Sequence, residues 1–263
     1  MVRADLHVHT TVSDGELKPE AVPPAARQAG LEAVAITDHD RLQPGLDAPV
    51  VRRDGVTVVH GIELRVDAGR QRVDLLGYGL DPTPDLEAAC GRIQRDRVER
   101  ARAIVDCVED RLGVALDVEF HPGVGRPHVA RAIADSDADL GYQETFETLI
   151  GDGDPCFVSR EIPDFETGRR LLDEAAAFVG LAHPLRYREP EHALGLTAEL
   201  DAVELAYPYD RDVDLRPVRR AIDRHGLLAT GGSDAHGRRL GVTGLDADAF
   251  ARVRKRLPHP AIG

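Results

Sequence analysis

Seven short runs of apolar and β-branched residues recur along the chain, each closing on a polar cluster, and this recurrence limits the architecture more than any other feature. They are RADLHVHT at 3–10, EAVAITDHD at 32–40, VTVVHGIEL at 56–64, RVDLLGYGL at 72–80, AFVGLAHP at 177–184, DAVELAYP at 201–208 and LLATGGSDAH at 227–236. Most are almost continuously apolar, the pattern of strands buried on both faces. Helical stretches lie between several of them: KPEAVPPAARQAG with a stop at Gly30, DFETGRRLLDEAAA at 164–177, and DLRPVRRAIDRHG ending at Gly226. Strand–helix–strand repetition implies right-handed crossovers and a parallel sheet. Seven strands with chemistry at their carboxyl ends favour a closed or nearly closed α/β barrel over an open sheet.

One join departs from this pattern. Only ten residues, with the turn signal DAGR at 67–70, separate Glu63 from Asp74, too few for a crossover helix. A hairpin centred between Ala68 and Gly69 would set Glu63 directly opposite Asp74. Residues 84–157 also read differently: a long arginine-rich helix from Asp85 to Leu112, then GRPHVARAIADSD and GYQETFETLIGDGD. The stretch is too long for a loop. The expected organisation is one barrel domain over 1–263, with 84–157 as a small helical insertion that caps the active-site mouth.

No 18-residue apolar run occurs, and His7 comes before the regions of a signal peptide could be completed, so a soluble, cytoplasmic protein with no membrane partner is expected. Cys90, Cys107 and Cys156 are odd in number and form no C-x-x-C pair, which points to reduced, mostly buried thiols. The formal charge is -13, and every basic residue except Lys18 and Lys255 is arginine. Such a surface repels polyanions and argues against binding of long duplex nucleic acid. It fits a halophilic, salt-rich cytoplasm, where charge is screened over short distances, although a GC-rich genome would also replace lysine by arginine.

The polar clusters carry the chemistry. On a strand, side chains at i and i+2 share a face, so His7 and His9 point together and can chelate a divalent cation. Other strand ends add Asp14, His39, Glu63, Asp74, His183, Asp234 and His236. Closed into a barrel, these groups converge at one mouth. Nine candidate ligands exceed what one tetrahedral ion needs, so two to three divalent ions are expected, and mixed imidazole and carboxylate sets suit Mn, Zn or Fe. Ions about 3.5 to 4 Å apart stabilise both the attacking and the leaving oxygen of an in-line phosphoryl displacement.

DLHVHTTVSDG, AITDHD, GIE, AHP and GGSDAHG, in this order, resemble the motifs of the PHP superfamily, named for polymerase and histidinol phosphatase domains. The resemblance spans Asp5 to about Gly237 and implies a distorted (β/α)7 TIM-like barrel with a trinuclear phosphoesterase site. Carried over residue by residue, it assigns His7, His9, Glu63 and Asp234 to a first ion, Glu63, Asp74 and His183 to a second, and Asp14, His39 and His236 to a third. Asp74 departs from the relatives, which usually have histidine there. An anionic oxygen ligand shifts preference towards harder ions such as manganese, and a solvated hairpin aspartate is the alternative.

GRPHVAR at 125–131 and GDGDPCFVSR at 151–160 are similar to the branch that contains RNase AM and the 3',5'-nucleoside bisphosphate phosphatases. That branch implies a small phosphorylated substrate, a nucleotide bisphosphate or the 5' end of a short RNA, with Arg126, His128 and Arg160 as phosphate contacts. The alternatives are an ion pair of Arg160 with Glu161 or Asp164, and helix capping by His128. His60 reads as a group packed beneath the site, and His121, His192, His225 and His259 as solvent-facing. Asp38 and Asp40 suit either orientation of His39 or ordinary turn chemistry, and Arg186 either a phosphate contact or the surface. No P-loop, dinucleotide fingerprint or nucleophile elbow is present.

The chemistry expected is phosphoester hydrolysis by a metal-bound hydroxide, with no side-chain nucleophile. Two alternatives stand beside it: a histidinol phosphate phosphatase, and a noncatalytic metal-binding module that serves a partner protein.

Overall fold

The computed structural model describes residues 1–261. Two compact units are present: Met1–Cys90 with Ile162–Gly263, and Gly91–Glu161.

The first unit is built on one curled sheet. Its strands are β1 (Ala4–Val8), β2 (Ala33–Ile36), β3 (Val50–Arg53), β4 (Val56–Asp67), β5 (Arg72–Tyr78), β6 (Phe178–Leu181), β7 (Ala202–Ala206) and β8 (Leu228–Gly231), in the order β1-β2-β4-β5-β6-β7-β8 with β3 beside β4. The ends of this path meet, because His9 N–H donates to Ala235 O at 3.0 Å and Ala235 N–H donates to His7 O at 3.3 Å. β5 runs antiparallel to both β4 and β6, and β1-β2, β2-β4, β6-β7 and β7-β8 are parallel.

Two expectations are corrected. The short β3 adds an eighth strand, antiparallel to the first half of β4 (Val50 opposite Val59), while β5 takes the second half. The hairpin register also differs by two: Asp67 pairs with Arg72, so Glu63 lies opposite Leu76, and Arg65 lies opposite Asp74. The turn is centred on Gly69 and Arg70, where Gly69 takes φ 78°, a conformation open to glycine at no steric cost. A slip of two preserves the face, so Glu63 and Asp74 still point the same way.

Both faces of the sheet are covered, as continuous apolar runs require. Leu6, Ala33, Ala35, Leu76, Tyr78 and Phe178 pack with Phe250 and Val253 of α8 (Ala247–Arg254). Val34, Ile36, Val56 and Val58 pack with Val22 and Ala26 of α1 (Val22–Gln28). Helix ends follow local chemistry. Asp164 accepts from Thr167 N–H at 2.7 Å to start α5 (Phe165–Asp173), and Gly226, at φ 66°, ends α7 (Arg216–His225).

The second unit contains most of α2 (Pro84–Leu112), α3 (Arg126–Ala134) and α4 (Tyr142–Thr148). Its core gathers Ile104, Val105, Val108, Val129, Ile133 and Ile150. Cys107 and Cys156 are joined by a disulfide, which corrects the expectation of three reduced thiols; Cys90 is free and buried. The pairing brings together residues 49 positions apart, a proximity that spacing in the sequence does not encode. Among the described residues, no helix is long and apolar enough to cross a membrane.

Candidate metal centre

The loops after β1 and β2 are fixed by buried carboxylates. Asp38 accepts from Thr10 N–H at 2.7 Å, from the Thr10 hydroxyl at 2.8 Å and from the Ser13 hydroxyl at 2.7 Å, which shapes the segment between His9 and Asp14. Asp5 accepts from Ser233 N–H and Gly241 N–H and ties β1 to the turn that carries Asp234. Gly232 sits so close to β1 that a Cβ there would collide with the His7 backbone. His183 and Asp234 hold φ of 27° and 48°, strained for residues with side chains and held so by their surroundings.

These constraints bring the nine predicted ligands together. Three sets each place their ligand atoms within 4.8 Å of one another: His7, His9, Glu63 and Asp234; Glu63, Asp74 and His183; and His9, Asp14, His39 and His236. Glu63 is the hub: its Oε2 lies 3.4 Å from His7 Nε2, 3.3 Å from His9 Nε2 and 2.8 Å from His39 Nδ1, and its Oε1 lies 2.9 Å from His183 Nε2. Asp234 Oδ1 lies 3.1 Å from His9 Nε2, and Asp14 Oδ1 lies 3.4 Å from His236 Nε2.

His9 and Glu63 hold protonation states ready for a cation, whereas His7 and His39 hold protons that a bound cation would displace. Burial pushes His9 down to about 4, helped by neighbouring His39, which keeps its nitrogens available as ligands. Burial raises Glu63, but His39 and His7 outweigh it and hold the carboxyl well below its ordinary range. Burial lowers His39 as well, and Glu63 reverses this to reach about 9. His7 is likewise pushed down by burial and then raised well above its ordinary value by Glu204 and Glu63.

Unpartnered buried atoms test whether ions fit. His7 Nε2, both ring nitrogens of His9, Glu63 Oε2 and Asp234 Oδ1 are buried without a hydrogen-bond partner. Buried polar atoms normally have partners, and leaving one unmade costs about 1 to 3 kcal/mol. Several converging on one point, all of ligand type, fit a divalent cation.

Three supports escaped the sequence reading. Glu204 on β7 is fully buried; its Oε1 faces His7 Nδ1 at 3.1 Å and its Oε2 accepts from His183 N–H at 2.8 Å. The visible signal was a lone acid inside the apolar run DAVELAYP. Tyr207 donates its hydroxyl to Asp234 Oδ2 at 2.8 Å, and Arg186 donates to the same oxygen at 3.1 Å. Arg65 donates to both oxygens of Asp74, each at 2.7 Å. His60 is buried on the face of β4 opposite Glu63, where its Nε2 accepts from Gln43 N–H at 3.3 Å, and Asp40 accepts from Arg65 N–H at 2.9 Å.

A cleft of about 300 Å³ opens onto the cluster, lined by His39, Arg65, Arg72, Asp74, His183, Arg186, Tyr187, Asp234 and His236. Arg126, His128 and Arg160 belong to the second unit. There Arg126 donates to Asp152 Oδ1 at 2.8 Å and to Ile150 O at 3.2 Å, and His128 Nδ1 accepts from Gly125 N–H at 3.2 Å at the start of α3.

A family model described as PHP domain matches residues 5–147. A 3',5'-nucleoside bisphosphate phosphatase of Chromobacterium violaceum is 31% identical over 254 residues, covering 90% of this chain and 88% of the relative. A phosphoribosyl 1,2-cyclic phosphate 1,2-diphosphodiesterase of Eggerthella lenta is 32% identical over 252 residues, covering 89% and 94%. A 5'-3' exoribonuclease of Escherichia coli is 27% identical, covering 88% and 84%. Among solved structures, an amidohydrolase from Chromobacterium violaceum with bound sulfate and no metal superimposes with a TM-score of 0.76 at 27% identity, covering 98% of each chain.

Proposed function

The chain belongs to the PHP family and is a metal-dependent phosphoesterase, and on that premise we propose that its substrate is a nucleotide phosphorylated at both its 3' and 5' positions. The observation that carries the reading is the convergence of buried, unpartnered ligand atoms at the floor of an arginine-lined cleft. Likeness to the bisphosphate phosphatase across 90% of the chain supports the choice of substrate.

His7, His9, Glu63 and Asp234 would hold one divalent cation, Asp14, His39 and His236 with His9 a second, and Glu63, Asp74 and His183 a third. When bound, ions such as Mn, Zn or Fe would supply Lewis acidity, which would offset charge on phosphoryl oxygens and lower the pKa of water towards about 7. The chain's own groups set the geometry. Glu204 accepts the Nδ1 proton of His7 and so leaves Nε2 free to ligate. Tyr207 and Arg186 occupy Asp234 Oδ2 and leave Oδ1 facing His7 and His9. Arg72 and Arg186 line the cleft and orient the ester phosphate. Among the described residues that line the cleft there is no serine or cysteine to act as nucleophile.

The test is turnover of adenosine 3',5'-bisphosphate against histidinol phosphate, a 1,2-cyclic phosphoribose and a 5'-phosphorylated short RNA, with manganese and at low and molar salt. Release of one phosphate from the bisphosphate in preference to the others is expected, with activity sustained at high salt. Preferential opening of the cyclic ester would overturn the substrate assignment, and so would preference for histidinol phosphate.

A further inference from the structure

The three ligand sets are not equivalent. Both oxygens of Asp74 are occupied by one guanidinium: Arg65 Nε donates to Oδ1 and Nη2 donates to Oδ2, each at 2.7 Å. This is a bidentate fork, the strongest geometry available to the pair, and an arginine does not give up its charge in a protein. The contact follows from the fold rather than from a wandering surface side chain. Arg65 is the cross-strand partner of Asp74 in the β4–β5 ladder, and its own N–H is pinned to Asp40 Oδ1 at 2.9 Å. Asp74 is 1% exposed, so no solvent competes for its oxygens.

Glu63 and His183 complete the same closed arrangement. His183 Nε2, the nitrogen that faces both carboxylates, lies 2.9 Å from Glu63 Oε1 and 3.7 Å from Asp74 Oδ2. The unpartnered atom of this histidine is Nδ1 instead. The corner therefore satisfies itself. On the other side of Glu63 the fit is looser: His7 Nε2, both His9 nitrogens, Glu63 Oε2 and Asp234 Oδ1 are buried and make no aligned hydrogen bond, although His7 Nε2 and His9 Nε2 face the two carboxylate oxygens at 3.1 to 3.5 Å and His39 Nδ1 approaches Glu63 Oε2 at 2.8 Å. Unpartnered ligand atoms reward an incoming cation, whereas a carboxylate already neutralised by a guanidinium repels one, since two positive charges would share a single buried acid.

We infer that Arg65 is a built-in cation at the Asp74 corner, so that the chain holds two divalent ions tightly and a third, at Glu63, Asp74 and His183, far more weakly. The inference rests on the proposed metal centre and refines it. Its consequence is that the charge of Asp74 stays balanced whether or not a third ion is present.

The experiment is a manganese titration of the chelator-stripped full chain, with free Mn2+ followed by electron paramagnetic resonance, on the wild type, Asp74→Asn and Arg65→Met. Two tight ions are expected in the wild type, with the third at least about tenfold weaker. Asp74→Asn should retain both tight ions, because neither uses Asp74. Arg65→Met should tighten the third ion by about tenfold or more, equivalent to about 1.4 kcal/mol. Three ions of equal affinity in the wild type, loss of a tight ion in Asp74→Asn, or an unchanged third ion in Arg65→Met would each overturn the inference. If Arg65→Met does not fold, the wild-type and Asp74→Asn titrations decide. A wild type that binds no ion at all would instead defeat the metal centre itself.

Discussion

Replacing Glu204 by glutamine removes one charge at nearly constant volume, and its outcome follows from two contacts. Glu204 Oε2 accepts from His183 N–H at 2.8 Å, and Oε1 faces His7 Nδ1 at 3.1 Å. A glutamine must keep its carbonyl oxygen on the His183 N–H, because its NH2 group there would meet another donor. The NH2 then faces His7 Nδ1 and donates to it, which moves the imidazole proton to Nε2. That nitrogen lies 3.4 Å from Glu63 Oε2 and 3.5 Å from Asp234 Oδ1, at the centre of the first ligand set, and once protonated it cannot ligate. Outer partners of this kind are worth roughly 10- to 100-fold in metal affinity, about 1.4 to 2.7 kcal/mol. A charge-assisted hydrogen bond, at about 1.5 to 3 kcal/mol, gives the same range independently. Calorimetric titration with Mn2+ should therefore show Glu204→Gln weakened by roughly 10- to 100-fold, with phosphatase activity partly recovered by excess metal. Binding within about twofold of the wild type would show that the carboxylate does not set the His7 tautomer, and the reasoning would fail.

Other perturbations test separate parts of the structure. Tyr207→Phe removes the 2.8 Å bond to Asp234 Oδ2 while Arg186 remains, so kcat/KM should fall by about fivefold, near 1 kcal/mol; an unchanged value would deny Tyr207 a positioning role. Burial lowers His60 to about 4 from an ordinary value of 6.5, so between those pH values the unfolded chain binds more protons than the native one and stability rises with pH. The gap corresponds to roughly 3 kcal/mol, lost as pH falls from 6.5 to 4, and urea unfolding of His60→Gln should show a correspondingly flatter pH dependence than the wild type. The Cys107–Cys156 disulfide closes a loop across 49 positions, which the chain-entropy relation converts to about 4 kcal/mol; calorimetric melting should shift clearly downward on reduction, and an unmoved melt would count against the bond.

Much of the site was legible because its information is local. His7 and His9 share a face by the two-residue period of a strand, the polar segments after β2, β6 and β8 carry His39, His183, Asp234 and His236, and Glu63 stands out as an acid within the apolar run of β4. Other features left no local signal. β3 is four residues long and exists because the first half of β4 offers it an edge. The hairpin register depends on how the turn around Gly69 closes, and counting residues between Glu63 and Asp74 placed it two positions off. Arg65 and Asp74 became partners only through that register. Cys107 and Cys156 are joined through the packing of α2 against the chain after α4, which spacing alone does not reveal.

The sequence by itself determined seven of the eight strands, several helix ends and the inventory of ligands, because these depend on side-chain periodicity and donor chemistry within a few residues. Only the tertiary structure decided which of those ligands stand unpartnered and which are already neutralised. Glu204 reaches His7 across 197 positions and Arg65 covers Asp74 across a hairpin, and charge compensation acts through distance in space, which the order of residues does not specify.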